Sequence, residues 1–171
     1  SLLSDVPPAR LFEEVLKLFL AGTAVGAFER LRHLGLFAEL FPATEQALEA
    51  LDHDFPLTLV TQGLENTDRR IGEDKPVTPA FLFAILLWEP VRQRAEVLKE
   101  QGEAPYHAVQ KAAGEVLSQQ LQCVALPRRF STPMVEIWTL QARFNNTRGK
   151  RPKRLMAHPR FRAAYDFLLL R

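Results

Sequence analysis

Hydrophobic residues recur at helical spacing along most of the chain. Near the start, Leu11, Val15, Leu18 and Phe19 repeat every three or four positions, which places their side chains on one face of an α-helix. No stretch of useful length alternates apolar and polar residues as a half-buried β-strand does. The pattern predicts an all-α fold, an irregular bundle of about eight helices.

Prolines, glycines and hydroxyl side chains indicate where these helices begin and end. Ser4 or Asp5 is the expected N-cap of the first helix, and Gly22 is its expected C-terminal glycine. Thr23 and Thr44 are the expected N-caps of the next two long helices, because hydroxyl oxygens accept hydrogen bonds from unpaired N–H groups.

The most apolar helix is predicted in the middle of the chain. Thr78 is its expected cap, and nearly all of its faces are apolar as far as Trp88, so we expect it to be the central core helix. Pro90 is expected to kink this helix or to begin a new one, because proline cannot donate the helical hydrogen bond.

Two further helices and a loop are predicted near the C-terminus. One helix is expected to open at Thr132-Pro133, and a polar loop follows over residues 145–152. A last helix is expected from about Pro159. Its candidate inward residues are Phe161, Tyr165, Leu168 and Leu169.

Charge is distributed unevenly along the chain. Residues 1–126 hold 11 Lys and Arg against 18 Asp and Glu, whereas residues 127–171 hold 11 against 2. A dense basic segment beside a mildly acidic body favours a surface for a polyanion over a merely solvated tail. We therefore divide the chain into a helical body, residues 1–126, and a basic nucleic-acid-binding segment, residues 127–171, packed on the same core.

Ten cations of the basic segment are the candidate binding residues. Guanidinium groups bind phosphate oxygens in bidentate geometry, and lysines add mobile point charges. Gly149 lets the backbone approach a phosphate closely. Binding of this kind is sensitive to salt and largely blind to sequence. The candidates are Arg128, Arg129, Arg143, Arg148, Lys150, Arg151, Lys153, Arg154, Arg160 and Arg162.

Aromatic residues are interleaved with these cations. Phe130, Phe144, Phe161 and Tyr165 occur among them, and some of these rings are candidates for stacking on bases. For Phe161 and Tyr165 the helical spacing favours a place in the core instead.

Little in the sequence indicates catalysis. His53-Asp54 is reminiscent of a metal-dependent phosphohydrolase, but no further ligands stand out, so a polar turn between helices is favoured. Cys123 is the only cysteine, and its apolar surroundings favour a structural thiol in a reducing compartment. The apolar run 80–88 is too short to cross a bilayer. We expect a soluble cytoplasmic protein without catalytic residues or metal ligands of its own.

Several stretches resemble one known family. In the basic segment they are Pro127–Phe130, Glu136–Phe144, Gly149–Arg151 and His158–Arg171, and in the body they are Pro8–Phe19, Leu34–Pro42, Asn66–Ile71 and Thr78–Phe81. Together they resemble the C-terminal region of bacterial poly(A) polymerases, which are class II nucleotidyltransferases related to the tRNA CCA-adding enzymes.

The resemblance implies a polynucleotide adenylyltransferase that transfers AMP from ATP to RNA 3′ ends with Mg²⁺. The metal-holding carboxylates would lie in an N-terminal head upstream of Ser1, so no catalytic residue and no cofactor site is expected in this chain. The stretch 8–19 would be the neck helix, and the basic segment would hold the RNA body. The implied partners are single-stranded RNA near its 3′ end, the head and proteins of RNA decay.

Two alternatives remain open at this point. The equivalent region of a tRNA CCA-adding enzyme would show the same helical periodicity, and it would prefer the tRNA acceptor and T arms to oligo(A). A protein-interaction module of RNA decay would use the basic face to bind acidic proteins, and its partner would survive nuclease and high salt.

Overall fold

Every regular element in the described part of the chain is a helix. The computed structural model describes residues 3–51, 58–145 and 149–171, and ten helices lie in these ranges. The prediction of an all-α fold is therefore confirmed. The helices are α1 (Pro8–Phe19), α2 (Ala24–His33), α3 (Leu36–Leu40), α4 (Pro42–Glu49), α5 (Thr58–Gly72), α6 (Pro79–Glu100), α7 (Pro105–Gln120), α8 (Arg128–Gln141), α9 (Arg151–Met156) and α10 (Phe161–Leu170).

Helix α6 is the centre of the bundle. It runs for 22 residues, and Thr78 caps it as predicted, with its hydroxyl oxygen accepting a hydrogen bond from N–H of Phe81 at 3.2 Å. Helices α4, α5, α7 and α8 pack around it. Its residues 82–87 have no exposed surface, which explains why the sequence is apolar on nearly every face of this helix.

A threonine from α4 compensates for the proline inside α6. Pro90 has no N–H, so the carbonyl oxygen of Leu86, four residues earlier, loses its helical hydrogen bond. The hydroxyl of Thr44 donates to that oxygen at 2.9 Å, and both residues are fully buried. The prediction that Thr44 caps a helix was wrong. Helix α4 begins two residues earlier, at Pro42, and Thr44 serves a neighbouring helix instead.

Replacing Thr44 with valine is expected to lower the free energy of unfolding by about 1–3 kcal/mol, because a buried carbonyl then lacks a partner. Thr67→Val is the matched control. The Thr67 hydroxyl is equally buried, but it donates at 2.9 Å to Gly63, a carbonyl within its own helix. Urea denaturation followed by circular dichroism measures both variants. Equal losses in the two variants would contradict this role for Thr44.

The N-terminal caps differ from the predictions. Helix α1 begins after Pro7 without a side-chain cap, so neither Ser4 nor Asp5 caps it. At the start of α2, Thr23 forms no cap hydrogen bond. The carboxylate of Asp68 in α5 does so instead, accepting from the backbone nitrogens of residues 24 and 25 at 2.6 and 3.2 Å. A carboxylate fits there because it also complements the positive end of the helix dipole.

The C-terminal helices differ from the predictions in where they begin and in which of their sides is buried. Helix α8 starts at Arg128, four residues before the predicted start, and Pro133 lies inside it. The short helix α9 begins at Arg151, inside the polar loop predicted over residues 145–152, and continues beyond that loop to Met156. In α10 the buried residues are Ala164 and Phe167. Tyr165 and Leu169, which were expected to face inward, are 42% and 65% exposed.

Helices α8 and α10 join the main hydrophobic core. Met134, Ile137 and Trp138 of α8 and Phe167 of α10 pack into the same buried cluster as α6. The indole N–H of Trp138 donates to the carbonyl oxygen of Ala84 at 3.1 Å. A smaller cluster of Leu140, Leu155 and Ala164 attaches α9 beside α8 and α10. The basic segment is thus carried by helices that are fixed to the body.

Candidate nucleic-acid interface

The predicted cations lie on the surface. Arg148 is outside the described residues, and the other nine candidates are all exposed. Their backbones are fixed by α8, α9 and α10, whose apolar residues are buried beneath them. Fixed backbones reduce the conformational entropy lost when long cationic side chains bind a ligand.

The densest group of cations lies at α9, and we call it the α9 patch. It consists of Lys150, Arg151, Lys153 and Arg154, and none of the four forms a salt bridge with any residue that the structure describes. Pro152 in the first turn favours the start of a helix, and Leu155 is buried beneath the patch. Four neighbouring charges of one sign are stabilised by a polyanion, which relieves their mutual repulsion.

The cations at the two ends of α8 do not form one cluster. Arg129 and Arg143 are separated by fourteen positions, and at 1.5 Å per residue this corresponds to about 20 Å along a helix. The guanidinium group of Arg129 lies over the ring of Phe130 at 4.7 Å. That ring stacks on Phe12 at 5.7 Å, so Phe130 joins α8 to α1 and is not free to receive a base.

Three aromatic rings form a cluster at the base of α10. The ring of Phe161 stacks on that of Tyr165 at 5.9 Å, and Phe144 lies 6.2 Å from Phe161. The prediction that Tyr165 lies in the core was wrong, because α10 buries the face bearing Ala164 instead. An exposed aromatic ring is suited to stacking on a base. Arg143 lies over a further ring, that of Tyr106, at 5.3 Å.

The cations around α10 are partly neutralised. Arg160 and His158 lie 3.9 and 3.8 Å from the carboxylate of Glu136, and Arg162 lies 3.3 Å from Asp166. At these exposures such pairs are weak, so both arginines can exchange their partner for a phosphate.

Arg171 was not a predicted binding residue, and its surroundings differ from those of the others. Its guanidinium group lies over the ring of Trp88 at 6.0 Å. Partial burial lowers the pKa of this guanidinium, because burial disfavours the charged form. Arg171 therefore contributes to packing against α6.

A groove of about 560 Å³ lies between α10 and the C-terminal end of α5. Arg160 and Arg162 line one side, and Arg69 and Arg70 line the other. The predicted site did not include the second pair, because both residues belong to the mildly acidic body. The stretch 66–71 carried the family resemblance, but its spacing gave no sign that it faces the basic segment.

No metal site or membrane span is found in the part of the chain that the structure describes. No group of three or more His, Cys, Asp or Glu side chains there is arranged to hold a metal ion. No described helix is long and apolar enough to cross a bilayer. The pair His53-Asp54 lies outside the described residues.

Two family descriptions match the chain. Residues 101–171 match the arginine-rich C-terminus of polymerase A. Residues 1–48 match the region described as the probable RNA and SrmB-binding site of polymerase A. The two matches cover the two ends of the sequence.

Curated relatives agree with these matches. The chain is 42% identical to poly(A) polymerase I of Salmonella typhi and 42% identical to that of Escherichia coli, and in each case all of the chain is aligned. Identity to the Haemophilus influenzae protein is 40% over 99% of the chain. The chain spans only 37–38% of the length of these relatives. It belongs to the bacterial poly(A) polymerase family and corresponds to the C-terminal region of that family.

Proposed function

We propose that this chain is the RNA-gripping C-terminal portion of a cytoplasmic poly(A) polymerase. It holds single-stranded RNA while a part of the protein outside this chain adds AMP from ATP, with Mg²⁺, to the 3′ end. The observation that carries the proposal is the α9 patch, four exposed cations without a carboxylate partner among the described residues. Residues 1–126 form the neck and body, and residues 127–171 form the RNA-binding segment.

The chemistry assigned to the chain is binding only. The arginines and lysines neutralise phosphates along the strand, which releases condensed counterions and favours binding at low salt. The exposed ring of Tyr165 provides a face for one base. Neither step depends on sequence, as suits a protein that must accept many RNA ends. The similarity of the whole chain to poly(A) polymerase I of several bacteria favours this function over that of a tRNA CCA-adding enzyme.

A protein-docking role for the N-terminal part is a second candidate. The matched description of residues 1–48 names SrmB beside RNA. Within this range Leu18 and Leu34 are 40% and 61% exposed. Exposed leucines of this kind are suited to a protein partner; Leu18 lies in α1 and Leu34 directly follows α2, so neither belongs to the helix that carries the α9 patch.

Binding of a fluorescent oligo(A) RNA across a salt series tests the RNA-gripping function. We expect the association constant to fall with a log–log slope of about −0.7 for each phosphate contacted, and thus by orders of magnitude between 50 and 200 mM salt if several are contacted. Competition with tRNA distinguishes a poly(A) polymerase from a tRNA CCA-adding enzyme. Binding that does not change with salt, or that tRNA abolishes far better than oligo(A) does, would contradict the proposal.

A further inference from the structure

We propose that the groove between α5 and α10 binds one nucleotide unit of the RNA strand. Its arginines would hold the phosphate, and its apolar wall would hold the base. The inference rests on the proposed RNA-gripping function, and it extends the interface to Arg69 and Arg70 on the body.

The groove has an excess of positive charge. Four arginines and one carboxylate, Asp166, line it. Arg69 donates to the amide oxygen of Asn66 at 2.6 Å, and Arg70 donates to the carbonyl oxygen of Pro76 at 3.1 and 3.2 Å. Both acceptors are neutral, and neither arginine forms a salt bridge within the described ranges. These bonds orient the two guanidinium groups without cancelling their charge, which is the arrangement that a phosphate requires.

The first turn of α6 adds to this potential. Thr78, the N-cap of α6, and Phe81, in its first turn, line the groove together with the arginines. Aligned peptide dipoles place a partial positive charge at the N-terminus of a helix, and α6, with 22 residues, is the longest helix described. An anion in the groove is therefore favoured by both the side chains and the backbone.

One wall of the groove is apolar. Val77, Phe81 and Leu169 line it, and Leu169 is 65% exposed, so its side chain is accessible to a ligand. The volume of about 560 Å³ lies within the usual range of small-ligand sites. A nucleotide combines an anionic group with a flat, weakly polar ring, and it matches both walls at once.

The groove lies close to the α9 patch along the chain. Arg154 and Arg160 are six residues apart in sequence, and six residues span at most about 20 Å. One RNA strand can therefore contact the patch and the groove together. This proximity favours RNA over an unrelated acidic peptide as the occupant.

The test measures oligo(A) binding by the whole chain in variants of the groove. Arg69→Gln/Arg70→Gln is expected to weaken binding about 10-fold and to reduce the salt slope by about 0.7, because the single phosphate contact of the groove is lost. Arg94→Gln/Lys99→Gln is the matched control, since these surface cations of α6 lie outside residues 1–48 and do not line the groove. The control is expected to change affinity by less than about 2-fold, because it removes charge without removing a phosphate contact.

Three further measurements remain informative even if the Arg69→Gln/Arg70→Gln variant does not fold. Arg162→Gln removes a groove arginine whose described partner is the surface residue Asp166, and it is expected to lower the slope by up to about 0.7, because Arg162 would share the same phosphate contact. Leu169→Ala is expected to weaken oligo(A) binding but not binding of an abasic oligomer. In the wild-type chain, 4-thiouridine in a short RNA is expected to crosslink to residues 66–81 and 159–170.

The possible outcomes separate this inference from the proposed function. If substitutions in the α9 patch abolish RNA binding but the groove variants behave like the Arg94/Lys99 control, the groove inference is wrong and the proposed function stands. If the wild-type chain shows no salt-dependent binding of oligo(A), the proposed function itself fails. Displacement of RNA from the groove crosslinks by poly-glutamate, with no effect of Leu169→Ala, would identify the groove as a site for acidic protein.

Discussion

Neutralising the α9 patch is expected to weaken oligo(A) binding by about 100-fold or more at 0.1 M salt. The variant changes Lys150, Arg151, Lys153 and Arg154 to glutamine. Four lost phosphate contacts reduce the log–log salt slope by about 2.8 at about 0.7 each. The fold should be unaffected, because all four side chains are exposed and Leu155, which anchors the helix, is unchanged.

A control with the same change in net charge isolates the effect of position. Glutamine at Arg92, Arg94, Lys99 and Lys111 removes four surface cations from the part of the body outside residues 1–48. This variant is expected to retain affinity within about 3-fold, because nonspecific long-range attraction is largely screened at this salt. Fluorescence anisotropy at several salt concentrations measures both variants. Equal losses would show that binding depends on net charge alone, and the assignment of the α9 patch would be wrong.

Local signals in the sequence predicted the parts of the fold that depend on local contacts. The Thr78 cap of α6 involves residues three positions apart, and the apolar faces of α6 are visible in any short window. The two side chains that fix neighbouring helix backbones act over distance. Asp68 bonds to nitrogens more than 40 positions away, and Thr44 bonds to a carbonyl 42 positions away. No spacing rule predicts such pairs, because they exist only once the helices have packed.

The orientation of α10 shows the same limit of sequence-based prediction at the candidate site. Phe161, Tyr165 and Leu168 form a helical stripe as regular as the one that is actually buried. The structure buries Ala164, whose small side chain allows α10 to approach α8 closely. The amide of Gln141 donates to the carbonyl oxygen of Ala164 at 3.0 Å and so fixes this orientation. Periodicity indicates that a helix has an apolar face, but the neighbouring helices decide which face is buried.

The candidate binding surface was predictable by composition but not by geometry. Charge density in residues 127–171 indicated a polyanion, and the nine described candidates are exposed. Their grouping depends on tertiary structure. Arg128 and Arg129 lie a helix length away from the α9 patch, whereas Arg69 and Arg70, from the acidic part of the sequence, lie across a groove from α10. The packing of α10 beside α5 creates this groove.

Trp138 is expected to make the largest single contribution to stability among the residues that fix the basic segment to the body. It has no exposed surface, and its N–H donates to the carbonyl oxygen of Ala84 in α6. Replacing it with alanine is expected to lower the free energy of unfolding by about 3–5 kcal/mol, since a large cavity opens between α8 and α6. Urea denaturation followed by far-ultraviolet circular dichroism measures the loss.

Trp138→Phe separates the hydrogen bond from the packing. It keeps an aromatic ring in the core and removes the N–H donor, so the expected loss is about 1–2 kcal/mol. Below the unfolding transition, oligo(A) affinity should remain close to that of the wild type in the phenylalanine variant, because no exposed cation has changed. In the alanine variant RNA binding should be lost at the temperature where helicity is lost, since the helices that carry the candidate cations are fixed through the shared core. If helicity falls while RNA affinity persists, the cations bind RNA without the fold. RNA binding would then be a property of a flexible basic segment and not of a surface positioned by the helices.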